Sequence, residues 1–572
     1  MGTIGNCDNY TNVIARRFLI FGLLTSQLVL AQSRVANDLG RAALTAGFDF
    51  TTCYHVHDLE IQEEDAEFYL TDGYLMFGKP VNGAPVTAVF SAEVEGGDAE
   101  VLLLPPNRSE RKALSSYTSS PNLDEHFKNA IFFFTEARAR ALAGRIRAAG
   151  EAAPAPEIAA LLADQWSTVL ANLVSSFESR IVLDLLDLDL LNKAPAEKGF
   201  FTAIIQGRKL GNFDVGYDAR SYEQLYAGQI STRDGKPYRD TWTSFAVSSR
   251  RNIPPSAPEE EILSYRIEAS LDASLALHCV TRIRIKTTAD SRHAIPFELS
   301  AQMRATAATI DGVPAEVYAR ESDQAGLAEQ DSGNELLLVV PAQPLEPGSE
   351  HEIEIRHEGN IVRDAGRQVY LVTARGTWYP VRGSQFATYD VTWSYPKTLD
   401  LVSAGEVKED RTEGDLRITR RVPDGRLDTL AFNLGKYDRK IVERNGSRIE
   451  VNANRDVEDA LSQTDSTPVR PEMLSTPRRR GQRPLANTPI DINTGASADS
   501  AVPGSASVPV PAAAVNPGNQ LSEVAGEVAA AIDFYRARFG DPAVTRIEVS
   551  PIPARFGQGF AGMIYLPTIS YL

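Results

Sequence analysis

Apolar residues recur at every second position through most of this chain, and at every third or fourth position in only a few stretches. The first pattern predicts strands half-buried on one face, the second amphipathic helices. Glu67–Leu70 and Tyr74–Phe77 read as a hairpin, with Thr71-Asp72-Gly73 supplying the left-handed turn. Val86–Val94 and Ala99–Leu104 continue as strands. Leu123–Ala149 carries Phe127, Ile131, Phe134, Ala137 and Ala141 at one-turn spacing and reads as a helix, broken by Pro154 and Pro156. Glu157 to about Leu188 is helical again, and Phe200–Phe245 returns to strands, turning at Gly207–Asn212 and Arg233-Asp234-Gly235. Residues 35–252 therefore form a leading α+β region.

From 258 to 450 the alternation is almost unbroken. Ile283 and Ile285 alternate with Arg282, Arg284 and Lys286, Asp311-Gly312 marks a hairpin turn, and Pro347-Gly348 precedes a strand from His351 to His357. Many short strands with turns between them predict an antiparallel, sandwich- or saddle-like β-domain. Residues 451–519 scatter nine prolines among Ser, Thr, Ala and Asn, with few large apolar groups, so the expectation is a disordered linker. Arg478-Arg479-Arg480 within it reads as a solvated basic tract. The pattern resumes at Leu521–Phe539, a helix whose apolar stripe is Val524, Val528, Ile532, Tyr535 and Phe539, capped by Gly540. Thr545–Ser550 is a strand that Pro551 and Pro553 should end. A glycine-punctuated run and a second apolar strand, Met563–Leu566, close the sequence, and the reading is of a domain cut off soon after it opens, with that strand's edges unpaired. The fold class is multidomain α+β.

Composition changes this picture little. The 572 residues suggest three or four domains, and 43% apolar content is ordinary for globular protein. A net charge of −17 argues against nucleic acid as a partner. Cys7, Cys53 and Cys279 make no disulfide framework, and whether Cys53 and Cys279 pair is left open. Arg16-Arg17 followed by Phe18–Ala31 has the length and make-up of a signal peptide over residues 1–32, so the chain is expected to be exported, periplasmic or extracellular, with no other transmembrane span. A short buried helix is the alternative reading of that segment.

Candidate chemistry is sparse. His55-Val56-His57 puts two imidazoles on one face of an extended segment, and the expectation is ordinary, partly exposed histidines. His351-Glu352-Ile353-Glu354-Ile355-Arg356-His357 is strand-patterned, and its two histidines stand about 20 Å apart, too far to hold one ion. No H-E-x-x-H occurs anywhere in the sequence.

Residues from about 258 onward resemble the M1 family of zinc metallopeptidases (aminopeptidase N and leukotriene A4 hydrolase-like gluzincins). The likeness lies in Trp378-Tyr379-Pro380, in the helix–strand–edge order from Leu521, and in Gly562-Met563-Ile564, which stands where the family has the G-L-I of its substrate-binding G-A-M-E-N-W-G-L-I. The resemblance implies that residues 258–450 are the family's N-terminal β-domain and 520–572 the start of its thermolysin-like catalytic domain. It also implies zinc as the complete family's cofactor, bound by none of these residues, and peptides or proteins as substrates. The substrate edge would be Gln558, Gly559, Phe560, Ala561 and Gly562. Gln558-Gly559-Phe560 replace the family's M-E-N, and no acidic residue follows Glu548, so the glutamate that holds a free α-amino group is missing. The function expected is the N-terminal part of an exported M1-like metallopeptidase, inactive as it stands. The alternative is a non-catalytic secreted peptide-binding or scaffold protein. Oligomeric state is not legible.

Overall fold

The computed structural model describes residues 34–93, 96–135, 142–146, 155–187, 199–233, 236–251, 258–288, 292–319, 334–459, 517–554 and 556–572. The leader expected at 1–32, Cys7 and the basic tract at 478–480 lie outside these residues, as does nearly all of the expected linker. Multiple sheets dominate, few helices accompany them, and the α+β class stands.

Nine strands build the first sheet: β1 (Phe48–Glu63), β2 (Ala66–Gly78), β3 (Thr87–Ser91), β4 (Asp98–Leu103), β5 (Leu123–Phe134), β6 (Phe200–Gly207), β7 (Gly211–Asp218), β8 (Leu225–Arg233) and β9 (Lys236–Phe245). Their order is β1-β2-β3-β5-β6-β7-β8-β9, with β4 bridging β2 and β5. Helices α1 (Val35–Thr45), α2 (Arg108–Thr118) and α3 (Pro156–Leu186) accompany the sheet, and residues 142–146, within the stretch expected to be helical, are helical too. The sheet curls on an aromatic interior: Phe68 of β2 meets Phe201 of β6 with ring centroids 5.4 Å apart. Beyond β9, the Ser248 amide donates to Asp65 in the β1–β2 turn at 2.7 Å, tying the two ends of the sheet together.

Two expectations fail here for physical reasons. Leu123–Phe134 is strand β5, not helix. Its Phe132 and Phe134 face the curled interior, while Ile131 and Phe133 face α3, where Phe177 lies 4.9 Å from Phe133. Burial on both faces makes Ala130–Phe134 a continuous apolar run, whose period does not distinguish strand from helix. Nor do Thr71-Asp72-Gly73 form a turn. β2 runs straight through them, pairing with β4 up to Asp72 and with β3 from Tyr74. Glycine is required at 73 because a Cβ there would sit 2.6 Å from the Phe90 ring and 2.8 Å from the Ser91 carbonyl.

The second body is a ten-stranded sheet ordered β12-β15-β14-β13-β16-β11-β10-β19-β22-β21. Its strands are β10 (Glu260–Leu271), β11 (Leu277–Thr287), β12 (Ile295–Ser300), β13 (Met303–Ile310), β14 (Val313–Tyr318), β15 (Asn334–Val340), β16 (Glu350–Gly359), β19 (Thr388–Pro396), β21 (Glu406–Glu413) and β22 (Leu416–Val422). All its pairings are antiparallel except β10–β19. The turn at Asp311-Gly312 has both residues at positive φ, 51° and 79°, as the sequence predicts. His351 and His357 lie along β16 and never meet. His351 faces Asp311 at 2.7 Å, and buried His357 shares a hydrogen bond with Thr281. Trp378, Trp393 and Phe432 form the centre of this core, with the Trp378 indole donating to the Leu430 carbonyl at 2.8 Å. Two small pairs, β17 (Val362–Asp364) with β18 (Tyr370–Val372) and β20 (Asp400–Ser403) with β23 (Phe432–Gly435), flank it.

A third, five-stranded mixed sheet is ordered β24-β25-β26-β28-β27. It joins β24 (Tyr437–Arg444) and β25 (Ser447–Asn454) to β26 (Arg546–Ile552), β27 (Gln558–Phe560) and β28 (Met563–Pro567), with α4 (Leu521–Phe539) on one face. The division expected at 450 therefore falls inside β25. Pro551 does not end β26, which runs on to Ile552. Pairing with β25 stops at Val549, so the missing proline N–H falls where no ladder partner remains on that side. β28 has no open edge, being flanked by β26 and β27. On α4 the buried stripe is Leu521, Val524, Ala525 and Ala529, while Tyr535 and Phe539 of the expected stripe are 58% and 80% exposed. No helix of the described residues is long and apolar enough to cross a membrane. Cys53 and Cys279 are both buried and free, one in the first sheet and one in the second.

The first and second bodies are joined by buried charge. Asp184 and Asp187 at the end of α3 face Arg220 from the β7–β8 connection, with Arg220 to Asp187 at 2.7 Å and to Glu259 at 2.8 Å. Arg292, 1% exposed, reaches Glu259 at 2.8 Å and Glu260 at 2.6 Å, and Arg382 also pairs with Glu260. Burial pushes the Asp184 carboxyl up, while the cations of Arg180 and Arg220 and the Thr135 hydroxyl hold it down. Removing one partner of such a set leaves an unpaired buried charge. Arg292→Met is therefore expected to cost about 3–5 kcal/mol in urea unfolding, and a loss below about 1 kcal/mol would show the network to be dispensable.

Candidate functional site

The residues Gln558–Gly562 form β27 and the turn into β28, at the outer end of the third sheet. Gly562 makes this turn with φ +76°, and a Cβ there would meet the Ala404 side chain at 3.1 Å. Gly559 is different: it is exposed, and a Cβ on it would meet nothing within 4 Å. Space is therefore open above the middle of the strand. Among the described residues no strand pairs with the outer side of β27. An unpaired edge of this kind offers backbone N–H and C=O groups to an added extended chain.

Phe560 packs edge-on to Tyr565, ring centroids 6.0 Å apart, and the Tyr565 hydroxyl donates to the Phe432 carbonyl at 2.7 Å. That hydrogen bond seats the hairpin on the second body. Beneath β27 lies Arg375, from the segment after β18. Its Nε donates to Gln558 Oε1 at 2.6 Å, and its guanidinium stands 5.0 Å from the centre of the Phe556 ring. Arg375 is buried, and among the described residues no carboxylate pairs with it. Burial pulls its pKa down, yet a guanidinium keeps its proton. The edge is thus built on an unneutralised positive charge, a setting that favours an anionic group.

Arg375 escaped the sequence reading. It precedes Gln558 by 183 positions, and only the neighbouring Trp378-Tyr379-Pro380 carried a pattern. The loss of acid at the edge was legible, because nothing after Glu548 carries a carboxylate side chain.

Glu548 lies on β26, two strands inward from β27 and opposite Met563 of β28, with its amide donating to the Gly562 carbonyl at 3.0 Å. Its carboxylate meets Arg421 at 3.4 Å, and Arg421 also donates to the Ser403 carbonyl at 2.6 Å. Burial lifts the Glu548 carboxyl to about 7, with Arg421 pulling it down and Glu450 pushing it up.

Zinc of the kind the resemblance implies does not fit here. All seven histidines lie at or before position 357, so α4 and β24–β28 hold none. With no imidazole and no acid beyond Glu548, the edge lacks the donors such a site needs. His55 and His57 stand in the first sheet, apart from this edge.

No family model and no curated protein matches the chain. Among solved structures, similar folds include the M1 zinc metallopeptidase from Deinococcus radiodurans at 12% identity and TM-score 0.34, over 55% of this chain and 61% of that one. A mutant of it bound to a Tyr-Ser-Ala substrate matches at 11% identity and TM-score 0.34. The chain spans about 61% of the length of these neighbours.

The raised Glu548 pKa has a signed consequence. The folded state holds this proton more tightly than the unfolded chain, so the stabilisation is complete below about pH 4.5 and lost as pH rises through about 7. Glu548→Gln removes the titration and keeps the shape. Relative to the unsubstituted protein, the variant is expected to gain about 2–3 kcal/mol in urea stability on going from pH 4 to pH 8. Parallel pH profiles for the two proteins would contradict the assignment.

Proposed function

We propose that this chain is the N-terminal part of an exported M1-like zinc metallopeptidase and that its own share of the work is to hold an extended peptide along β27. The observation that carries the proposal is the unpaired edge at Gln558–Phe560, with open space over Gly559 and Arg375 beneath. The helix–strand–edge order of α4, β26 and β27 supports it. The export signal is read from Arg16-Arg17 and the apolar run after it. Peptide binding here is strand addition: main-chain hydrogen bonds supply affinity, and the side chains around the strand supply selectivity.

In this reading the edge does not select for the free amino terminus of an exopeptidase substrate. A glutamate would hold a free amino terminus, whereas Gln558 is neutral and its partner Arg375 is cationic. The peptide is held without anchoring its amine, and an acidic side chain or terminal carboxylate near the strand gains from Arg375. With no imidazole in α4 or β24–β28, the share of the work assigned to this edge is binding.

A second reading, a non-catalytic secreted peptide-binding or scaffold protein, draws on the same edge. It is favoured by the donor set itself, which offers a guanidinium where hydrolysis would need zinc ligands and a general base. Fluorescence anisotropy with labelled extended peptides tests both. N-acetylated and free-amine forms of one acidic peptide are expected to bind within about threefold of each other, and Arg375→Met to weaken binding about tenfold. A preference of about tenfold or more for the free amine, or no effect of Arg375→Met, would overturn the assignment of the edge.

A further inference from the structure

On the outer face of the first sheet, three donors converge from two strands. His55 Nε2 lies 2.9 Å from Asp72 Oδ1, and His57 Nδ1 lies 2.8 Å from the same oxygen. The three ligand atoms fall within 4.8 Å of one another. We propose that His55, His57 and Asp72 form a binding site for a divalent transition-metal ion of zinc type, independent of the peptide edge.

The strand geometry explains the convergence. Residues two apart on a strand share a face, so His55 and His57 project together from β1. Asp72 is the direct cross-strand partner of His57, and Tyr74 that of His55. Tyr74 is buried and stacks on the His55 imidazole, centroids 4.6 Å apart and planes 13° from parallel, which fixes that ring's orientation. Asp72 stands where β2 changes partner from β4 to β3, and the β2–β4 register slips between Leu70 and Asp72. Bulges of this kind re-aim side chains. The glycine after Asp72 is forced by Phe90 and Ser91 and lets β2 continue through the change of partner.

Two imidazoles and one carboxylate are a donor set suited to zinc and its neighbours, not to magnesium or calcium. Donors around a tetrahedral zinc sit about 3.3 Å apart, so spreading the present contacts by a few tenths of an ångström makes room for an ion. Side-chain exposures of 33%, 51% and 34% leave one side open to solvent, where water or an exogenous ligand completes the coordination. The neighbouring cluster of Glu100, Asp124 and His126 is a poorer candidate. His126 Nδ1 is held by Asp98 at 2.8 Å, and the Arg208 cation reaches the same carboxylate at 2.8 Å.

The test is calorimetric titration of the chelator-treated protein with zinc chloride, alongside the absorption spectrum of its cobalt(II) complex. One ion per chain is expected at micromolar or tighter affinity, with visible cobalt bands of low coordination number. His57→Ala and Asp72→Asn are each expected to weaken binding by about 100-fold, while His126→Ala leaves it unchanged. Near-ultraviolet circular dichroism establishes that each variant is folded. Binding no tighter than millimolar, or binding lost in His126→Ala but kept in His57→Ala, would show that the three side chains form only an ion pair.

Discussion

Four guanidinium groups and five carboxylates pack where the first body meets the second, beside the apolar cluster of Ala36, Val182 and Leu183 with Tyr318 and Leu338. Arg180, Arg220, Arg292 and Arg382 face Asp184, Asp187, Asp218, Glu259 and Glu260. Every one of these charges would be costly alone in that setting, and each is tolerable because the others are in place. The network fixes the end of α3 against the start of β10, and so fixes where the second sheet begins. A second joint lies nearby: Glu316 of β14 accepts from the first amides of α1 at 3.1 and 2.9 Å, and Tyr318 bonds Glu178 of α3. With the second sheet placed, the segment after β18 carries Arg375 to β27 of the third sheet.

The sign of charge at the edge strand is the feature with most bearing on function. A buried arginine with no carboxylate partner among the described residues is rare because its desolvation is uncompensated. Here it is only partly offset, by one amide oxygen and one aromatic face. In the proposed function an anionic group on the peptide supplies the missing partner. The glycines around it have separate tasks. Gly562 makes a turn no other residue makes without strain, whereas Gly559 leaves room above the strand.

Period-two alternation shows most of the second sheet, Asp311-Gly312 marks its hairpin, and one-turn spacing shows the long helix α3. The turn at Gly562 was legible too, from glycine spacing. What stayed hidden had a common cause: contacts between distant segments. β5 looked helical because it is buried on both faces, and only the packing of α3 reveals that. Asp72-Gly73 looked like a turn because the third strand pressing on Gly73 cannot be seen locally. Arg375 and Asp72 join their sites from elsewhere in the chain, so no local motif could announce them. Tyr535 and Phe539 fit a helical stripe by spacing, but the sheet beneath α4 ends before the helix does.

Hydrogen–deuterium exchange with mass spectrometry, with and without an extended acidic peptide, addresses the edge most directly. The account predicts new protection confined to Phe556–Leu566, since an added strand takes up the amides of β27 and steadies its hairpin with β28. Protection elsewhere, with β27 exchanging as before, would contradict it.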